Sequence, residues 1–182
     1  MTQEKERIMC PPDLTTKESS VWFHPDRTTP KIHRDGDQPA IICVNGTKEW
    51  YQHGQLHRDD DRPAIIWAGN DEIEFWGWCT IPFSDLGAMR WDHPPTGTQE
   101  WFQKGQRHRD GDQPAIIYFE GTRVWYQHDE LHRDDDQPAI INSNGTQVWY
   151  QHDQLHRDGD QPAIIYHNGK KEWWQHGVEY HT

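Results

Sequence analysis

The sequence predicts an all-β fold, an elongated array of stacked antiparallel β-hairpins, on three observations. His-Arg pairs recur at His33-Arg34, His57-Arg58, His108-Arg109, His132-Arg133 and His156-Arg157, at intervals of 24, 51, 24 and 24 residues. A fixed period of this length marks supersecondary units that stack on their neighbours. Each pair leads through an Asp-rich turn into Pro-Ala-Ile-Ile, and Asn45-Gly46 between two β-prone runs is a strong hairpin signal. Only 32% of residues are hydrophobic while 11 are Trp, so large rings stacked along the array must carry the burial.

The elements follow in order. Residues 1–20 are charged and polar, with Pro11-Pro12 as a break, and read as a flexible N-terminal arm. The array is expected over 21–182, opening with an irregular unit in which Trp22-Phe23 stands for the later Trp-Tyr pair. In the regular unit, a two-residue type I′ turn at Asn45-Gly46 would set Ile42 opposite Glu49 and Ile41 opposite Trp50. Ile41 and Trp50 would then share one face, and Ala40, Ile42 and Tyr51 the other. Apolar groups on both faces imply a sheet covered on both sides. The expected repeat core is Ile41, Trp50, Trp101, Trp125, Trp149 and Trp173.

The interval of 51 residues contains a degenerate unit or insertion at about 69–96. A non-repeating element on a repetitive scaffold is where specificity can reside, so Trp76, Trp78, Phe83, Met89 and Trp91 form a candidate partner-binding patch. The array ends where Tyr180-His181 replaces His-Arg.

The formal net charge of −12 argues against direct contact with nucleic acid or an anionic membrane and favours a protein partner, a basic one above all. No apolar run is long enough to span a bilayer and no signal-peptide core opens the chain, so a soluble, intracellular protein is expected. Cys10, Cys43 and Cys79 are widely spaced and outside the repeat, which supports neither a disulfide framework nor a zinc site.

Every unit carries an Asp-x-Asp: Asp35/Asp37, Asp59/Asp61, Asp110/Asp112, Asp134/Asp136 and Asp158/Asp160. Such pairs can chelate calcium, but each follows an arginine and Asp is a normal turn residue, so salt bridges and local turns are the expectation and no metal is assigned. His53/His57, His128/His132 and His152/His156 have a helical zinc spacing in turn-like sequence, where the spacing loses its meaning. Every acid, base and ligand is duplicated along the array, so neither a catalytic residue nor a cofactor is expected.

With Tyr51, Gly54 and His57 aligned, the unit reads aromatic-x-x-Gly-x-x-His-Arg-x-Gly/Asp-x-Pro-Ala over about residues 31–181. This resembles a divergent MORN (membrane occupation and recognition nexus) repeat, whose units follow an aromatic-x-x-Gly-x-x-His-Gly pattern; here Arg58 and its equivalents replace the glycine. The resemblance implies consecutive hairpins serving as a non-catalytic scaffold or protein-docking surface. Two other functions fit the same residues. The Trp and Tyr columns could hold glycans or choline-like cations, and the acidic turns could mimic nucleic acid towards a basic protein.

Overall fold

The computed structural model describes residues 4–8, 19–23, 31–43, 45–68 and 96–180. Among them every regular element is a strand, and no helix is long and apolar enough to cross a membrane. The fold is an all-β array of hairpins. Its spine is a 13-stranded antiparallel sheet to which each unit gives one Ile-Ile strand and one strand from the run before its tryptophan. A second row of short hairpins follows these tryptophans: Tyr51–Gln52 with Gln55–Leu56, Phe102–Gln103 with Gln106–Arg107, Tyr126–Gln127 with Glu130–Leu131, and Tyr150–Gln151 with Gln154–Leu155.

The stretch expected to be a flexible arm contributes to the spine. Glu4–Ile8 pairs with Ser19–Phe23, which pairs in turn with Ile41–Ile42. Units are then joined by one recurring backbone bond. The N–H of each tryptophan donates to the alanine carbonyl of the next Pro-Ala-Ile-Ile, from Trp50 to Ala64 at 2.9 Å and from Trp101, Trp125 and Trp149 to Ala115, Ala139 and Ala163 at 2.8 Å.

The hairpin register differs by one residue from the expected one. Ile41 faces Glu49 and Ile42 faces Lys48. The Gly46 N–H donates to the Cys43 carbonyl at 2.9 Å, and the Cys43 N–H to the Thr47 carbonyl at 2.9 Å, which closes a loop of three residues. Of the described loop residues Asn45 and Gly46, Gly46 takes the left-handed conformation, at φ 89°, as the last residue of a three-residue hairpin loop commonly does. Asn45 is spared a positive φ because its side chain accepts the Thr47 N–H at 3.0 Å.

A one-residue slip moves every side chain of a strand to the opposite face. Ile41 therefore shares its face with Glu49, while Ala40 and Ile42 share theirs with Trp50. From Ile116 onward the first face is filled by one cluster containing Ile116, Val124, Leu131, Ile140, Val148, Tyr150, Leu155 and Ile164. The expected coverage on both faces holds, but the isoleucines of this core and the tryptophans pack on opposite sides.

At the long interval, Ile65 pairs with Glu100 and Ile66 with Gln99, and the Gly97 N–H reaches the Trp67 carbonyl at 2.7 Å. These are the two arms of an ordinary hairpin. The spine passes from Lys48–Glu49 to Ile65–Ile66, Gln99–Glu100 and Ile116–Ile117 with no strand missing. Residues 69–95 thus enter and leave at a hairpin tip, an insertion between strands that already pair.

Joining Ala68 to Thr96 leaves a three-residue loop equivalent to 44–46. Closing this short loop in place of one of about thirty residues favours folding by about 1–2 kcal/mol. The shortened chain should keep its β-sheet circular dichroism and unfold in urea at no lower a midpoint. Loss of the fold would contradict the pairing described above.

Candidate functional site

One edge of the array carries the same group of side chains in every unit, and it begins with the turn. Asp37, Asp61, Asp112, Asp136 and Asp160 all have φ between 52° and 54°. The residue before each is also left-handed, at Gly36, Asp60, Gly111, Asp135 and Gly159. Two consecutive positive φ angles favour Gly, Asn and Asp, which explains why glycine and aspartate alternate here. The turn's carbonyl then receives the next indole: Trp125 Nε1 donates to Asp112 O at 3.1 Å and Trp149 Nε1 to Asp136 O at 2.9 Å.

Arg58, Arg109, Arg133 and Arg157 of the His-Arg pairs each tie their unit to the preceding one. Arg133 lies over the Trp125 ring at 3.9 Å, and its Nε and Nη2 donate to the two carboxylate oxygens of Asp112 at 2.7 and 2.8 Å. Its Nη1 donates to the Pro138 carbonyl at 3.3 Å. Arg58 with Asp37, Arg109 with Asp61 and Arg157 with Asp136 repeat the arrangement. Planar stacking combined with a bidentate fork is geometry that arginine supplies and lysine does not.

The first aspartate of each turn is held by histidine. His132 Nε2 lies 3.0 Å from Asp134 Oδ1, and Gln127 donates to Oδ2 at 2.7 Å; His57 with Gln52 and His108 with Gln103 hold Asp59 and Asp110 likewise. These carboxylates still face water. The side chains of Asp35, Asp59, Asp110, Asp134 and Asp158 are 65–81% exposed. Hydrogen bonding from Gln, then His, lowers the pKa of Asp59, Asp110 and Asp134. Bonding from the clasping arginine lowers those of Asp37, Asp61, Asp112 and Asp136.

The His-x-x-x-His pairs are divided between units. His53 stacks on His33 at 4.8 Å, and His128 on His108 and His152 on His132 at 4.4 Å, while His176 lies tilted against His156 at 4.4 Å. Among the described residues no group of three or more His, Cys, Asp or Glu could hold a metal ion.

Of the expected core, Trp50, Trp101, Trp125 and Trp149 are buried, while Ile41 and Trp173 are half-buried. Guanidinium groups lie 3.8–4.0 Å over the four buried rings, so their faces are not open to a ligand. Trp76, Trp78, Phe83, Met89 and Trp91 lie outside the described residues.

Sequence reasoning missed one polar group on the isoleucine face. Glu100, 5% exposed, accepts from Trp67 Nε1 at 2.8 Å and from Arg107 Nε at 3.2 Å. Tyr51 donates to Glu49 at 3.0 Å, and burial raises the Glu49 pKa. The signal was present in the repeat itself. Val124 and Val148 stand where Glu49 and Glu100 do, and Leu56, Leu131 and Leu155 where Arg107 does.

Compared with family models, with characterised proteins and with solved structures, the chain gives no match.

Two predictions follow from the arginine clasp. Arg133→Met should lower stability by about 1–2 kcal/mol in urea unfolding, a value discounted because Asp112 is partly solvated. Carboxylates with depressed folded-state pKa contribute stability above their unfolded value of about 3.9, and that contribution is lost as pH falls through the lower folded value. The unfolding free energy should therefore fall steeply below about pH 4; equal stability at pH 3 and pH 7 would rule out the clasps as a source of stability.

Proposed function

We propose that this protein is a non-catalytic, MORN-like repeat scaffold that docks a basic protein along its carboxylate edge. The observation that carries the reading is the edge itself, where every unit sets one highly exposed aspartate at the same position on a rigid array. Each strand pair advances the spine by about 10 Å, so the carboxylates form an evenly spaced acidic line. An ordered line of charge of this kind steers and orients a partner of opposite sign. The net charge of −12 acts in the same direction. Duplication of every candidate acid and base along the array supports binding over catalysis.

Replacing Asp35, Asp59, Asp110, Asp134 and Asp158 together by Asn leaves the Arg-Asp clasps intact. The variant should fold and bind polylysine at least about tenfold more weakly, with a shallower dependence on salt. Unchanged affinity and salt dependence would remove the carboxylate edge as the docking surface.

A further inference from the structure

The acidic edge changes where the turn at 57–61 meets the following unit. A cleft of about 460 Å³ opens there, bounded by His57, Asp59, Asp60, Trp101, Phe102 and Asp110. Its origin is a single departure from the repeat. At the other four junctions the His-Arg histidine carries a second imidazole, supplied by His53, His128, His152 or His176 of the next unit. At this junction the equivalent residue is Lys104. Its backbone N–H lies 3.4 Å from His57 Nδ1, as the N–H groups of His53 and His176 lie 3.1 and 3.2 Å from His33 and His156 Nδ1, but its exposed side chain does not line the cleft. No ring among the described residues stacks on His57, whose side chain is 22% exposed against 5–14% for its four equivalents.

We propose that this cleft takes an arginine side chain of the partner protein, its guanidinium stacked on His57 where the other units place an imidazole. The inference rests on the reading of the edge as a docking surface for a basic protein, and it names the anchor. Three stacked imidazole pairs and a fourth tilted by 32° show that the space beside this histidine suits a flat group. The carboxylates at the mouth select a cation. Asp59 is shared with His57 and Gln52, Asp110 with His108 and Gln103, and Asp60 with Arg62. Each uses only part of its acceptor capacity, since a carboxylate offers about four lone-pair sites, and Asp60 and Asp110 are 80% exposed. The two arginines in the wall are already neutralised, Arg58 by Asp37 and Arg109 by Asp61. A guanidinium is both planar and able to fork two hydrogen bonds, whereas an ammonium is a compact, strongly hydrated charge.

The test is a titration of the full chain, with its histidines isotopically labelled, by N-acetyl-arginine methylamide and by its lysine counterpart. The arginine probe should shift the His57 ring resonances saturably and the lysine probe at least about tenfold more weakly. Lys104→His restores the repeat residue and fills the slot with the chain's own imidazole. It also removes a positive charge, which by electrostatics alone would strengthen binding of a cation. A fall in arginine affinity of about tenfold or more in this variant therefore reports filling of the slot, and His128→Ala should open an equivalent site seen at His108. The proposal is overturned if the arginine probe leaves His57 unmoved up to its solubility limit, or if Lys104→His binds it as tightly as the parent. Polylysine binding that persists alongside either result would leave the acidic edge standing while removing this anchor from it.

Discussion

The array depends on the arginine that binds across the junction between units. A stacked repeat has no closed interior, so its stability is the sum of what each unit gains alone and what each interface adds. Here each unit contributes an Ile-Ile strand two residues long and a hairpin with one residue pair on either side of its turn. Such elements are too short to persist alone. The clasp supplies what they lack. It covers an indole, closes a bidentate ion pair with the preceding turn and satisfies a proline carbonyl, joining three chain segments through one side chain. Because the paired aspartate belongs to the previous unit, the interaction exists only when neighbours are in register. It thereby couples the left-handed turn, the tryptophan and the spine into one repeating joint.

The two faces of the spine divide the work. One carries the aliphatic clusters, the other a row of indoles beneath guanidinium groups. The period, the all-β class and the burial of Trp50, Trp101, Trp125 and Trp149 were legible because aromatic spacing and turn residues are local properties of the chain. Which side chains share a face was not legible. That depends on whether the loop holds two residues or three, and Asn45-Gly46 is compatible with both until the Asn45 side chain is seen to bond the Thr47 N–H. A single hydrogen bond thus decided the partner of Ile41, and with it the composition of both faces.

The candidate site was legible in its ingredients and opaque in its wiring. Asp-x-Asp following His-Arg suggested a salt bridge, but the sequence does not show that the first aspartate serves the histidine of its own unit and the second the arginine of the next. The residue between them offered a calcium ligand in Asp60 and Asp135. The backbone explains it instead as a left-handed position that glycine fills in the other units. Lys104 was invisible as a departure until stacked imidazoles showed what its position normally does.

Departures from the repeat are concentrated around the insertion. Glu49, Arg62, Trp67, Glu100, Lys104 and Arg107 all differ from their counterparts in the regular stretch that runs from Ile116 to Ile164. The consequence is physical as well as statistical. The aliphatic core splits into one cluster containing Ile116 to Ile164 and a smaller one of Ala64, Ile65 and Phe102, and the Glu100-Arg107 pair occupies the strands between them. A partly buried ion pair in place of Val and Leu adds little stability and is often neutral or worse against apolar residues of similar size. The regular units show which apolar residues this chain uses there, so the pair cannot be explained by packing alone. The units around residues 49–107 carry weaker apolar burial, a cleft on the acidic edge and, among the described residues, the only interrupted hairpin tip. The regular units repeat one apolar core, and the irregular ones depart from it in charge and burial.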